Sequence, residues 1–215
     1  TVLYDPLDGT FADTCATINN NRTEKTITLQ PNGSVFVIFS DNIVTTAPET
    51  TTAFTKPLNN KGWKVTFENT GKVMHSDTLF DWSKDNDNSV KYYSGHAVYV
   101  THFTNDTKTK HYSINLDLGR LENIATVSVN GTECGTIWTY PYSVDISKAV
   151  KPGNNELKIS VVNTWANALS GSDSGTPPFA GIWTNATYRR KEKTLLPAGL
   201  LGPVTLRYNL IDKKK

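Results

Sequence analysis

Apolar and polar residues alternate with a period of two along most of the chain. The clearest case is the stretch 112–118, in which every second residue is apolar, and the same alternation recurs over 125–129, 157–161 and 204–208. A period of two is typical of a strand with one buried face. No long segment repeats its apolar residues with the helical period. The pattern therefore predicts a fold built from half-buried antiparallel strands.

Turn signals separate these stretches. Asn130-Gly131 directly follows an apolar alternation, and this dipeptide favours a two-residue hairpin because both central positions of that turn need positive φ. Pro152-Gly153 supplies a second turn, since proline fixes φ and glycine frees the next residue. Many short strands with turns between them predict an all-β fold, an antiparallel β-sandwich of the jelly-roll type.

The alternation is interrupted once, between residues 45 and 55, where threonine-rich sequence has no apolar periodicity. Before the interruption, Thr1–Tyr4, the pair Ile27 and Leu29, and the run Val35–Phe39 each predict a strand. These strands are too few to close a core alone. The predicted organisation is strands from the end of a preceding β-domain over 1–45, a linker over 46–56, a β-sandwich over 57–211 and a disordered basic tail over 212–215. No initiator methionine or leader precedes Thr1, so we expect a mature domain or a piece of a longer chain.

Composition and charge exclude several classes of function. Of 215 residues, 37% are hydrophobic, which is enough for a real core. The formal net charge is +2, but three of the 22 basic residues form the terminal run 213–215, leaving 19 basic against 20 acidic residues. Nucleic acid is therefore not an expected partner. The longest apolar run, Val35–Phe39, is far shorter than the roughly 20 residues of a membrane span, so no membrane partner is expected either.

Several segments resemble the galactose-binding-like β-sandwich domains of large glycoside hydrolases. They are Tyr92-Tyr93-Ser94-Gly95-His96-Ala97-Val98-Tyr99, Leu116-Asp117-Leu118-Gly119, Ala125 to Gly131, Gly135 to Tyr142, and Val150 to Leu157. Two further segments are more particular. Asn163-Thr164-Trp165 and the ending Leu196-Pro197-Ala198-Gly199-Leu200-Leu201-Gly202-Pro203-Val204 are similar to the C-terminal region of α-L-rhamnosidases of glycoside hydrolase family 106.

The resemblance implies a noncatalytic, carbohydrate-binding-like C-terminal module of a glycoside hydrolase. Its partners would be a catalytic barrel of the same polypeptide, which the module braces, and a plant-type or other rhamnose-containing glycan. It also implies a secreted or periplasmic location. Two alternatives stay open, a free-standing glycan-binding or adhesion protein and an accessory domain of a β-galactosidase-type hydrolase. Where the resemblance leads us to expect an arginine and an aspartate, this chain has Ala168 and Ser172.

Aromatic and amide side chains supply the candidate sugar-binding residues. Trp138, Tyr140 and Tyr142 are spaced by two, so an extended segment would present their rings on one side as a stacking platform. The same spacing also suits rings that fill a core. Trp165 follows the predicted strand ending at Val162, where binding loops commonly lie. Asn163 and Asn167, on either side of Trp165, are candidate hydrogen-bonding partners for a sugar.

Catalytic and metal-binding signals are weak. A glycosidase needs two paired carboxylates, and nothing in the sequence pairs the available acids, which are Asp117, Glu133, Asp145 and Asp173. No catalytic residue is therefore assigned, and this fragment alone is not expected to be an enzyme. Oxygen-bearing side chains over 85–89 suggest a structural Ca²⁺ loop, but Val90 and His96 stand where the helix-loop-helix calcium motif has Gly and Glu. We expect no cofactor, no metal ligands and two unlinked thiols, Cys15 and Cys134.

Overall fold

The computed structural model describes residues 1–13, 16–40, 51–58, 62–107, 112–185 and 194–211. The chain divides into two compact units, of which the first comprises Thr1–Thr51, Thr139–Pro141 and Asp212–Lys215, and the second Thr52–Trp138 and Tyr142–Ile211. Cys15, residues 46–50 of the predicted linker and the predicted tail 212–215 lie outside the described residues.

Where the structure describes the first unit, it has five short strands, which are β1 Val2–Tyr4, β2 Phe11–Asp13, β3 Thr17–Asn19, β4 Arg22–Glu24 and β5 Phe36–Ile38. They form a three-stranded antiparallel sheet in the order β2-β1-β5 and a separate β3-β4 hairpin. The ring of Tyr4 lies 4.8 Å from that of Phe11 and 6.0 Å from that of Phe36. Strand β5 is nevertheless exposed along its whole length.

The prediction of strands around residue 2 and over 35–39 is confirmed by β1 and β5. The prediction of a strand at Ile27 and Leu29 is wrong, because residues 25–30 have no regular structure and Leu29 is exposed. The strands before this segment instead flank the turn Asn20-Asn21, where both residues have positive φ. Asparagine adopts this conformation more readily than other non-glycine residues, which places the hairpin there.

The described part of the second unit holds twelve strands, namely β6 Thr51–Pro57, β7 Trp63–Phe67, β8 Lys72–Ser76, β9 His96–Asn105, β10 Tyr112–Asp117, β11 Arg120–Glu122, β12 Ile124–Val129, β13 Thr132–Ile137, β14 Ser143–Asp145, β15 Gly153–Val162, β16 Gly199–Gly202 and β17 Thr205–Leu210. Six of them form one sheet in the order β13-β12-β15-β9-β7-β8, and four form a second sheet in the order β14-β10-β17-β6. Strands β11 and β16 pair separately.

The alternating apolar residues of both sheets meet in one buried cluster. Ala125, Val127 and Val129 of β12, for example, are fully buried together with Ile114 and Leu116 of β10. Burying apolar area of this kind is the main favourable term in folding. The predicted antiparallel β-sandwich is confirmed, and so is the β12-β13 hairpin, in which Asn130 and Gly131 have φ of 52° and 79°.

Strand β6 occupies part of the segment predicted as a linker. Its residues are exposed except for Phe54, whose ring stacks on Tyr208 of β17 at 4.6 Å. The Thr52 hydroxyl donates to Asn209 Oδ1 at 2.9 Å, and beyond the strand the Leu58 amide donates to the Val204 carbonyl at 3.0 Å. An exposed edge strand needs no apolar alternation, so threonine, which favours strands, suffices.

A close backbone crossing joins the turn before β11 to the end of β16. Gly119 has φ of +63° and forms an isolated bridge with Gly202. A Cβ at residue 119 would lie 2.5 Å from the carbonyl carbon of Gly202 and from the oxygen of Pro203. Only glycine fits such an approach of two backbones.

Short helices lie in some of the connections that the structure describes. They are a 3-10 helix over Trp82–Lys84, α1 over Asn88–Lys91 and α2 over Ala166–Asp173. Trp82 is fully buried, and its indole N–H donates to the hydroxyl of Tyr99 at 2.7 Å. The described part of the chain contains no helix long and apolar enough to cross a membrane.

Candidate functional site

Trp165 lies at the junction of β15 and α2 and exposes 52% of its surface. Its ring meets that of Phe179 edge-on, with the centroids 6.3 Å apart and the planes at 69°. Phe179 in turn lies 6.1 Å from the buried ring of Tyr93 and packs against the core. One side of the indole is thus supported by successive aromatic rings, Phe179 and then Tyr93, that lead into the core, while much of the indole surface remains exposed.

Asn163, two residues before Trp165, is buried. Its amide nitrogen donates to the Tyr93 carbonyl at 2.9 Å, and its side-chain oxygen accepts from the Gly95 amide at 2.9 Å. Both ends of the carboxamide are therefore bonded to the segment 93–95. The side chain fixes the end of β15 against that segment and does not face solvent as a sugar ligand would.

Asn167, two residues after Trp165, is 2% exposed and makes the equivalent pair of bonds on the other side. Its amide nitrogen donates to the Leu196 carbonyl at 2.7 Å, and its oxygen accepts from the Leu196 amide at 2.9 Å. The next amide, of Ala168, donates to the Ser94 hydroxyl at 3.2 Å. Buried amides on both sides thus fix the backbone that carries Trp165, so the indole is positioned in advance of any ligand.

The other three aromatic candidates do not share a strand face. Strand β13 ends at Ile137, so the side-chain alternation assumed for an extended segment does not continue through residue 142. Trp138 is 62% exposed, whereas Tyr142 is half-buried and packs against the core. Tyr140, which belongs to the first unit, is 44% exposed. The stacking platform predicted from the spacing needs a strand that is not present here.

The carboxylates with the clearest roles support turns and strands. Asp117 accepts from the Gly119 amide at 2.9 Å and pairs with the guanidinium of Arg207 on the neighbouring strand. Asp145 accepts from both the amide and the hydroxyl of Ser147. Each of these contacts serves the backbone or a strand pair, so neither carboxylate is positioned as one half of a catalytic pair.

The loop 85–89 uses its oxygen atoms to begin helix α1. The Asp85 side chain accepts from the Asp87 amide, and Asp87 accepts from the amide and hydroxyl of Ser89. The other carboxylate oxygen of Asp87 contacts the ammonium of Lys72. This ammonium, with the Ser89 donors, holds the pKa of Asp87 at about 2, below its ordinary 3.8. Within the described residues, no group of three or more His, Cys, Asp or Glu is placed to hold a metal ion.

Cys134 is a free, half-buried thiol on β13, and burial raises its pKa.

Phe179 and Leu196 are the contributors to the site that the sequence analysis missed. Both come from the segment after α2, whose sequence has no periodicity to indicate its path. The signal that could have pointed to Leu196 is its place at the start of the motif 196–204.

Comparison with known proteins gives three findings. The family model for the glycosyl hydrolase 2 galactose-binding domain-like family matches residues 63–194. The structure of a rhamnosidase from Novosphingobium sp. PP1Y is similar with a TM-score of 0.74 and 32% identity, covering 96% of this chain and 20% of that one. A putative β-glucuronidase from Formosa agariphila is 32% identical in an alignment 179 residues long that covers 70% of this chain and 15% of the relative. The chain thus spans a fifth or less of the length of these two proteins.

Proposed function

Because this chain belongs to the glycosyl hydrolase 2 galactose-binding domain-like family, we propose that it is a noncatalytic module of a longer glycoside hydrolase that resembles α-L-rhamnosidases. The module would brace a catalytic barrel of the same polypeptide and contact a rhamnose-containing glycan. The rhamnosidase similarity supports this parent, since it extends over 96% of the chain. A secreted or periplasmic location fits a protein that degrades glycans outside the cytoplasm.

The observation that carries the glycan contact is the exposed, rigidly held indole of Trp165. An aromatic face can stack on the apolar face of a sugar ring, and a preformed platform avoids the entropic cost of ordering a side chain on binding. Asn163 and Asn167 act in this proposal as positioning residues, because their amides are already bonded to the backbone. Trp138 and Trp183 are also exposed indoles, but among the described residues neither adjoins a pair of buried amides like Asn163 and Asn167.

A second candidate parent is a β-glucuronidase-type hydrolase. The 32% identity to the Formosa agariphila protein favours it, although that match covers less of the chain than the rhamnosidase match does. The module's own part, bracing and glycan contact, is the same for both parents. The two parents differ in the sugar, so the ligand series in the experiment includes both rhamnosides and glucuronides.

The experiment is a titration of the 215-residue protein with rhamnose-containing and glucuronate-containing oligosaccharides, followed by tryptophan fluorescence and calorimetry. We expect weak saturable binding, with Kd on the order of 1 mM, as suits one stacked ring. Trp165→Ala should weaken binding about tenfold or more, whereas Trp138→Ala, the matched control, should leave it within a factor of two. Equal losses in the two variants, or no binding by the parent protein, would overturn the glycan contact.

The noncatalytic part of the proposal has its own readout. The isolated protein should release no nitrophenol from aryl α-L-rhamnosides or aryl β-glucuronides above the rate of buffer. Enzyme-like turnover that persists through repurification and falls in Asp117→Asn or Asp145→Asn would contradict it. If the protein bound sugar without turnover and carried no catalytic domain in the same polypeptide, the result would instead favour a free-standing glycan-binding protein.

A further inference from the structure

Basic side chains lie in one row across the outer face of the six-stranded sheet. In the strand register His75 is opposite Lys64, Lys64 is opposite Val100, and Val100 is opposite Lys158. Neighbouring strands are about 4.8 Å apart, so the two lysines are separated by about 10 Å and His75 extends the row to about 14 Å. The half-buried side chain of Val100 lies between the lysines as an apolar floor.

These basic groups are exposed. Among the described residues, Lys64, His75 and Lys158 have no ion-pair partner. The adjacent row on one side holds Thr66 and Val98, which are uncharged. The adjacent row on the other side holds His102 and Glu156, 3.8 Å apart, so that this carboxylate already has a basic partner.

An open groove follows part of this row and has a volume of about 730 Å³. Lys64, His75 and His102 line it together with the hydroxyl and amide groups of Thr104 and Asn154. Asp77 is the acidic residue of the lining. A groove with an exposed lysine, imidazoles, hydroxyls and an amide suits a polar chain that carries negative groups.

We propose that this groove and the row beside it bind an anionic glycan, with the acidic groups of the sugar, carboxylate or sulfate ester, on Lys64, which lines the groove, and on Lys158, which lies further along the row. A nucleic acid fits less well, because the described residues of the lining include no exposed Phe, Tyr or Trp ring on which a base could stack. The surface shares no residue with the Trp165 site. The proposal therefore goes beyond the proposed function and does not depend on it.

The test uses the whole 215-residue protein and four probes at low salt: an oligogalacturonate, dextran sulfate, neutral dextran and a single-stranded oligonucleotide. We expect binding to at least one of the two anionic glycans, none to neutral dextran, and weakening as salt is raised. The double variant Lys64→Gln/Lys158→Gln should weaken that binding about tenfold, because it removes two exposed charge contacts. Lys148→Gln, an exposed lysine on a turn, is the matched control and should change it less than twofold.

A second variant, which is expected to strengthen binding instead of weakening it, guards against effects of misfolding. Asp77→Asn removes the acidic group of the groove and should strengthen binding a fewfold. Preference for the uronate or for the sulfate then identifies the acidic group, and either preference supports the proposal. Equal losses in the double variant and in Lys148→Gln, absence of binding to both glycans, or tighter binding of the oligonucleotide would each overturn it. Trp165→Ala should leave this binding unchanged. The anionic-glycan proposal and the proposed function can therefore fail independently of each other.

Discussion

At the scale of single residues, Asp87 combines a helix cap with an ion pair to Lys72. The pair holds the pKa of Asp87 at about 2 in the folded protein. A carboxyl group whose pKa is lowered by folding stabilises the protein above its ordinary pKa, and this stabilisation is lost as pH falls through the folded value. The pair is half-exposed, so solvent screening keeps the effect below about 1 kcal/mol.

We therefore expect Asp87→Asn to lower the free energy of unfolding slightly at pH 6, and the difference from the parent protein to disappear between about pH 4 and pH 2. Asparagine is also a good N-cap residue, so the substitution isolates the charge. Urea denaturation across this pH range measures the effect. In a double-mutant cycle, Lys72→Gln should add little once residue 87 is Asn, and additive losses at pH 6 would show that the two side chains do not interact.

The sequence identified the right neighbourhood for the candidate site but not the role of each residue. Asn163 and Asn167 follow a strand in a polar stretch. In such a stretch the sequence does not distinguish an amide side chain that bonds to the backbone from one that binds a sugar. Their burial depends on segments 93–95 and 196, which are distant along the chain and come together only in the folded protein. The departure at Ala168 has a similar explanation, because that residue is fully buried and an arginine would need room that is not present.

At the scale of elements, the sandwich strands were predictable because alternation is a direct consequence of burying one face. Strands β10, β12, β15 and β17 all lie where the alternation placed them. Two of the elements that were not predicted carry no such signal. Strand β6 is exposed nearly throughout, and α2 has eight residues, too few for the helical period to emerge among small polar side chains.

The crossing of Gly119 over Gly202 gives a prediction for the joint between elements. Gly119→Ala should destabilise the protein by about 1–3 kcal/mol more than Gly153→Ala, because the added Cβ meets the backbone at 2.5 Å whereas a Cβ at Gly153 meets nothing within 4 Å. Both glycines have positive φ, so the backbone strain of alanine is similar in the two variants. Chemical denaturation of both compares them, and equal losses would contradict the packing argument.

At the scale of the whole molecule, the buried apolar cluster lies within the second unit and takes none of the described residues of 1–51. We expect a chain shortened to residues 51–211 to unfold cooperatively, with Tm within about 5 °C of the full chain and an unchanged near-ultraviolet circular dichroism spectrum. A broad transition or loss of that spectrum would show that the core needs the first 50 residues.

A second shortened chain, residues 58–211, is the matched control. It lacks β6 as well, and with it the ring of Phe54 on Tyr208 and the Thr52 hydroxyl on Asn209. Removing this edge strand uncovers the aromatic face of β17, so Tm should fall well below that of the 51–211 chain. Identical melting of the two shortened chains would mean that β6 contributes nothing measurable to the sandwich.

The pairing of β6 with β17 also decides how the sandwich can be carried by a larger protein. Thr52 bonds Asn209 while Leu58 bonds Val204, so the point where the chain enters the sandwich lies beside the point where it leaves. A host polypeptide could accept the whole unit at a single loop if the two ends of that loop lay about one strand spacing, roughly 5 Å, apart. Recombination can therefore insert the sandwich into unrelated enzymes, or remove it from them, as one unit. The ends of the loop that receives it need not be separated.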